Sequence, residues 1–244
     1  MSAKFIFDVD GVLCDRGQPI NDQFRWWLED FLIDKDYYLV TGSHREKTAT
    51  QIGRLLAHGP RIGFHCLGNS IWTENGVEVV INTFDFSKIE LDHLKAFYTY
   101  SVYNNKQHWG DVLERRSGSY NYSLAVRGGT VEERQHYVEH DNLYRERENF
   151  IIQLANTFPR FDAYIGGDCS IDIVLRGANK GQIINSLDID LTNEEVYFFG
   201  DRYGPYGIDK PLADGMVSWI DSTVFEINKG YKETWEILKS LKTE

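Results

Sequence analysis

Lys4-Phe5-Ile6-Phe7-Asp8-Val9-Asp10-Gly11-Val12 is the stretch on which the fold turns. A short apolar run ends in two aspartates one residue apart and then a glycine, the pattern of a strand tip that delivers carboxylates to one spot. Alternate residues of an extended segment point the same way, so the spacing puts Asp8 and Asp10 on one side. Two acids held that close repel each other. They persist when a cation lies between them or when one carries a proton. Ligands made only of oxygen suit a hard ion, Mg²⁺ above others. Aspartate and glycine also build plain turns, so the rest of the chain has to decide.

The bulk properties set limits. A chain of 244 residues holds one large domain or a core with an inserted module, and 42% apolar residues provide a sizeable core. A net charge of -11 argues against binding a phosphate backbone, which usually takes a basic face. Cys14, Cys66 and Cys169 are odd in number, far apart and in no CxxC pattern, as expected of reduced thiols in the cytoplasm. No apolar run approaches a membrane span, and no signal-peptide h-region opens the chain. The expectation is a soluble cytoplasmic protein that engages neither nucleic acid nor membrane.

Strand-like and helical segments alternate at both ends. Residues 4–8 read as a strand, 21–33 as an amphipathic helix, Tyr37 to Val40 as a strand and Arg45 to Ala57 as a helix. Near the other end Val196 to Phe199 and Met216 to Ile220 read as strands, before a helix from Val224 to Lys242. Strands separated by helices imply crossovers and a parallel sheet. The middle differs. Helices over 87–102 and 130–157, the second opened by the capping box Thr130-Val131-Glu132-Glu133, flank strands at Gly118 to Val126, Phe161 to Ile165 and Ser170 to Leu175. The pattern predicts an α/β core made of residues 1–77 and 178–244, with an α+β module inserted over 78–177.

Three further features accompany the aspartates. Leu39-Val40-Thr41-Gly42-Ser43 is a strand that runs into hydroxyls, which with a following helix N-terminus suit a phosphoryl group; Ser43 with Glu46 also fits a helix cap. Lys180 opens a predicted helix, where the macrodipole disfavours a cation, so the ammonium is expected to face an anion. Phe199-Gly200-Asp201, with Asp209 in the following Gly/Pro-rich loop, puts more acids just beyond a buried strand, where such sheets gather ligands.

In this order and spacing the set resembles the haloacid-dehalogenase-like phosphotransferase superfamily. Glu74-Asn75-Gly76, Arg116-Ser117-Gly118 with Asn121 and Ser123, Arg127, Thr130 to Arg134, Gly166-Gly167 with Ser170 and Asp172, and Phe198 to Asp201 with Pro205, Gly207 and Asp209 are similar to segments of the eukaryotic-type phosphomannomutases. The resemblance implies a Rossmann-like parallel-sheet core and an inserted α+β cap of the C2B type that closes over a hexose phosphate. It assigns Asp8 as the nucleophile that forms an aspartyl phosphate and Asp10 as general acid and base. Mg²⁺ would be held by Asp8, the backbone carbonyl of Asp10, and Asp201, with Asp209 in support. Thr41, Ser43 and Lys180 would stabilise the phosphoryl oxygens. Arg116, Arg127 and Arg134 match positions for the phosphate that is not being transferred, a task that suits a planar guanidinium. Ser170 and Asp172 match positions for sugar hydroxyls.

The activity implied is interconversion of hexose 6- and 1-phosphates, mannose phosphates above all, with a hexose 1,6-bisphosphate as activator. The alternatives are a sugar-phosphate phosphatase on the same scaffold and a non-catalytic sugar-phosphate binder. Family members are often dimers through the cap, a role open to Phe97-Tyr98-Thr99-Tyr100. The chain departs from the family pattern at Val12, at Gly17, where Arg16 is displaced by one position from the family's arginine, at Ile208 before Asp209, and over Arg176 to Asn179.

Overall fold

The computed structural model describes residues 3–101, 109–125, 129–187, 189, 194–218 and 221–241. The first part of the chain lays down β1 (Lys4–Phe7), α1 (Asp22–Phe31), β2 (Tyr37–Val40), α2 (Arg45–Ile52), α3 (Arg54–His58), β3 (Ile62–His65), β4 (Ser70–Thr73) and β5 (Glu78–Val80). The middle contributes α4 (Lys88–Tyr100), α5 (Trp109–Val112), β6 (Leu113–Arg116), β7 (Ser119–Ser123), α6 (Val131–Tyr144), α7 (Glu146–Thr157), β8 (Phe161–Ile165) and β9 (Ser170–Leu175). A 3₁₀ segment over Lys180–Ser186 leads back to β10 (Val196–Gly200), α8 (Lys210–Met216), β11 (Ser222–Glu226) and α9 (Tyr231–Leu241).

Among the described residues two sheets form. The larger runs β11-β10-β1-β2-β3-β4-β5, parallel from β11 through β3 and antiparallel over the last two pairings. Its central strands are apolar on both faces because helices cover both. Phe5, Phe7, Leu39 and Phe199 pack with Phe24, Leu28 and Leu238 of α1 and α9. The intervening residues Ile6, Tyr38, Val40 and Phe198 pack on the other side with Leu212 and Met216 of α8. The smaller sheet, β6-β7-β9-β8, is antiparallel throughout. Tyr122, Ile171 and Ile173 turn to one face, against Leu94, Tyr137, Phe150 and Leu154 of α4, α6 and α7. Period-2 alternation therefore turns Asn121, Ser123, Ser170 and Asp172 to the opposite face, towards the larger sheet.

Several sequence expectations change. Of the strand expected over Met216 to Ile220, Met216 ends a helix and Val217 and Ser218 form a turn, while Trp219 and Ile220 lie outside the described residues. Buried Leu212, Ala213 and Met216 continue the helical spacing of α8, and Val217 is largely exposed. The strand there is Ser222–Glu226, a half-exposed edge strand with too few apolar residues to announce itself. The helix predicted from Arg45 to Ala57 breaks at Gly53, and the one over 130–157 breaks at Arg145; both residues take positive φ. The break expected before residue 78 falls later, because Glu78–Val80 pairs with β4 as the last strand of the larger sheet. Among the described residues no helix is long and apolar enough to cross a membrane.

Candidate active site

Three neighbouring parallel strands end on the same side of the larger sheet, and their tips supply the site. β1 continues into Asp8, β2 into Thr41-Gly42-Ser43, and β10 into Asp201. The polar face of the smaller sheet stands over them and leaves a cleft between. Asp8, Asp10, Thr41, Ser43, Arg116, Arg134, Ser170, Asp172 and Lys180 all line it. Arg127 lies outside the described residues.

Lys180 is fully buried, with Nζ 2.7 Å from Asp8 Oδ1 and 2.7 Å from Asp209 Oδ1. Burial works against its charge, and the two carboxylates more than offset that, holding the ammonium above its ordinary range. Asp209 uses its second oxygen to accept from the backbone N–H groups of Asp201 (3.0 Å) and Arg202 (3.1 Å), which fixes the loop after β10. Asp8, Asp201 and Asp209 each offer an oxygen within 4.8 Å of the others. Burial pushes the Asp8 carboxyl well up, with Lys180 opposing and the other two acids adding to the rise. Burial and Asp209 likewise push Asp201 to about 7. Three buried carboxylates against the Lys180 ammonium and the Arg16 guanidinium still leave surplus negative charge and hard oxygen donors, a set that fits Mg²⁺. Gly11, at positive φ, makes room for the arrangement. A Cβ there would meet Asp201 Oδ2 at 2.1 Å.

The carboxylate of Asp10 is not among those acids, contrary to its expected alignment beside Asp8. Strand geometry stops at Phe7, and the tight loop that follows turns Asp10 elsewhere. It accepts from the Gly17 N–H (2.9 Å) and from Gln51 Nε2 (2.8 Å), and Lys47 Nζ stands 3.6 Å from its other oxygen. Burial pushes the Asp10 carboxyl up, but Lys47, Gly17 and Gln51 together hold it below its usual range.

Ser43 does not cap α2; His44 does, accepting from the Lys47 N–H. The Ser43 N–H donates to Thr41 Oγ1 (3.1 Å), and its hydroxyl accepts from Lys47 Nζ (3.0 Å).

Across the cleft, Asp172 is buried and accepts from Asn121 Nδ2 (2.8 Å) and Arg116 Nη1 (3.3 Å). Asn121 also donates to Ser170 Oγ at 3.0 Å. The other Asp172 oxygen reaches the backbone of β2's tip so closely that a Cβ on Gly42 would lie 3.1 Å from it. The Arg116 guanidinium is already engaged by Glu114 (2.6 Å) and by the Gly42 carbonyl (2.9 Å). Arg134 reaches over Gly17, where a Cβ would lie 3.3 Å from its Nη1. Arg16 pairs with Asp201 and stands 3.5 Å from Asp168, which also accepts from Arg202 Nη2 at 2.9 Å. Backbone bonds join Ile165 to Tyr206 and Ile208 along the same seam.

Lys47, Gln51 and Asp168 were not anticipated from the sequence. For the first two a signal existed. Ser43 and Lys47 are four residues apart and Gln51 follows four later, a spacing that puts Lys47 and Gln51 on one helical face beside the hydroxyl.

Solved structures share this architecture. A trehalose-6-phosphate phosphatase related protein superposes with a TM-score of 0.58 at 18% identity, over 99% of this chain and 97% of the other. The C-terminal domain of C. albicans trehalose-6-phosphate phosphatase does so with a TM-score of 0.65 at 13% identity, over 99% and 92%. At such identities the likeness is one of fold, and the fold is that of the haloacid-dehalogenase-like class.

Sequence comparison goes further. The family model described as eukaryotic phosphomannomutase matches residues 73–235. A phosphomannomutase from Drosophila melanogaster is 32% identical over 223 residues, covering 84% of this chain and 83% of its own. Phosphomannomutase 1 of Mus musculus is 26% identical over 226 residues, covering 84% and 80%. The chain belongs to the eukaryotic phosphomannomutase family. It is an enzyme, a mutase or a phosphatase on this common scaffold.

Proposed function

We propose that the protein interconverts hexose 6- and 1-phosphates, mannose phosphates above all, through an aspartyl phosphate on Asp8, with Mg²⁺ as cofactor and a hexose 1,6-bisphosphate as activator. The larger sheet and its helices are the catalytic core, and the smaller sheet with α4, α6 and α7 is the cap. One observation carries the reading. Asp8 and Lys180, which belong to a buried cluster with Asp201 and Asp209, line the same cleft as Arg116 and Arg134.

In the first half-reaction an Asp8 oxygen attacks phosphorus, and the bond from phosphorus to the sugar oxygen breaks. Asp10 gives that oxygen a proton, then takes one from the hydroxyl that attacks next. Thr41, Ser43 and Lys180 steady the phosphoryl oxygens. Mg²⁺, held by Asp8, the carbonyl of Asp10, and Asp201, would neutralise the developing charge, with Asp209 fixing the loop that carries Asp201. Ser170 and Asp172 take sugar hydroxyls, and Arg134, Arg116 and Arg127 take the distal phosphate. Arg116 would have to exchange Glu114 for that anion. Two settings complete the reading. Cys14, Cys66 and Cys169 are free, buried thiols, consistent with the cytoplasm. Tyr100, Leu143 and Tyr144 are exposed on the cap, consistent with a homodimer.

A sugar-phosphate phosphatase is the second reading, favoured by Gly17. It sends no side chain into the cleft, and the neighbouring Arg16 is paired with Asp201 and Asp168. The two readings separate in an assay for dependence on a hexose bisphosphate and for release of inorganic phosphate. Asp8→Asn should lose at least about a thousandfold in turnover while keeping the fold. Equal turnover in variant and parent would end the assignment of Asp8.

A further inference from the structure

Lys47 has no role in the reading above, yet it lines the cleft. Nζ donates to Ser43 Oγ at 3.0 Å and stands 3.6 Å from Asp10 Oδ2. It also acts on the cap: burial pushes the Asp172 carboxyl up, and Arg116 and Lys47 are among the groups that oppose this. Ser43 and Asp10 thus converge on one half-exposed cation, in a cleft that Asp172 of the smaller sheet also lines.

Its placement suits a second anion besides Asp10. Lys47 sits in the first turn of α2 beside Arg45, where the macrodipole disfavours positive charge. At 3.6 Å from Asp10 it makes no hydrogen bond to that carboxylate. Among the described residues its ammonium donates to a neutral hydroxyl, which leaves further donors for the cleft. By filling an acceptor site on Ser43 it also leaves that hydroxyl's proton free to point at a phosphoryl oxygen.

Asp10 is the group that exchanges a proton with the bridging oxygen, so a cation next to Asp10 and Ser43 is next to that oxygen. We propose that Lys47 is a catalytic residue that contacts the oxygen shared by phosphorus and sugar and stabilises the charge that gathers there as the bond breaks. The inference rests on the phosphoryl-transfer reading. An Asp8 oxygen forms the new bond to phosphorus, the electron pair of the broken bond goes to the sugar oxygen, and the proton comes from Asp10. Lys47 keeps its protons throughout, and its contribution is electrostatic. Gln51, one turn further along α2, is a positioning residue that aims Asp10 from the other side.

The role makes a demand that a structural lysine would not. A sugar is a poor leaving group and needs help at its oxygen, whereas p-nitrophenolate leaves as a stable anion. Full-length parent, Lys47→Met and Lys47→Arg are compared with Mg²⁺ on mannose 1-phosphate, with a trace of hexose 1,6-bisphosphate, and on p-nitrophenyl phosphate. Lys47→Met is expected to lose about a hundredfold in kcat on the sugar ester with KM little changed, and less than about fivefold on the aryl ester. Lys47→Arg is expected to recover most of the loss. Equal losses on the two esters, or an effect on KM alone, would overturn the proposal. A parent that transfers phosphate from neither ester would overturn the proposed function, and this inference with it.

Discussion

Lys180 Nζ lies 2.7 Å from Asp8 Oδ1, with both side chains almost wholly shut off from solvent. The two residues lie far apart in the chain, and the crossover between them contains the whole smaller sheet. A lysine buried in this way is held by the charges around it, here Asp8 and Asp209.

Removing that ammonium should therefore be costly for the fold as well as the chemistry. Lys180→Met leaves two buried carboxylates facing each other, at a cost of about 3–5 kcal/mol. A lowered melting temperature, partly restored by Mg²⁺, is expected. A variant as stable as the parent with and without the metal would mean the cluster is not held by charge.

The acid triad makes a separate demand on metal. Mg²⁺ at a hundred times its dissociation constant should stabilise the folded chain by about 2.7 kcal/mol, read as a rise in melting temperature. In Asp201→Asn the rise should shrink several-fold, and chelation should abolish turnover in the parent. Parent and variant melting alike across a Mg²⁺ titration would remove Asp201 from the site.

Asp168 ties the smaller sheet to the larger through Arg202 and Arg16. These pairs are partly exposed, so Asp168→Ala should cost only about 1 kcal/mol of stability. Its effect should fall on closure. KM is expected to rise several-fold, and amide exchange to quicken over Gly166 to Ser170 and Tyr206 to Ile208. Unchanged exchange along that seam would show that the backbone bonds of Ile165 hold it alone.

His65 gives the fold a pH dependence away from the acids. It is fully buried, and burial pushes it from 6.5 down to about 4. Below about 6.5 the unfolded chain takes up a proton that the folded chain refuses. Stability from this source is complete above 6.5, falls as pH drops towards 4 and levels off below, a span of about 3 kcal/mol. In His65→Gln the slope of denaturation free energy against pH should flatten across that interval. An unchanged slope would assign it to other groups.

Sequence reading reached the central strands because they are apolar on both faces and end in chemistry. β1, β2 and β10 are short runs followed by Asp8, Thr41 and Asp201. It failed where burial is partial. β11 is a half-exposed edge, and the end of α8 mimics a strand because Met216 and Val217 are apolar neighbours. In the site, the residues at strand tips were legible and Lys180 was expected to face an anion, but its pairing with both Asp8 and Asp209 was not foreseen. The direction of the Asp10 side chain was not, because it depends on a loop whose hydrogen bonds to Gly17 and Gln51 leave no local pattern. Arg116 was found as a residue, but its engagement by Glu114 and the Gly42 carbonyl arises only when the two sheets meet.

The most direct test is a ³¹P NMR time course with mannose 1-phosphate, Mg²⁺ and a trace of hexose 1,6-bisphosphate. A growing 6-phosphate signal with little free phosphate is expected of a mutase whose cleft grips the bisphosphate either way round. Inorganic phosphate growing alone would contradict mutase action and make the protein a phosphatase, with Gly17 and Arg16 the first residues to exchange.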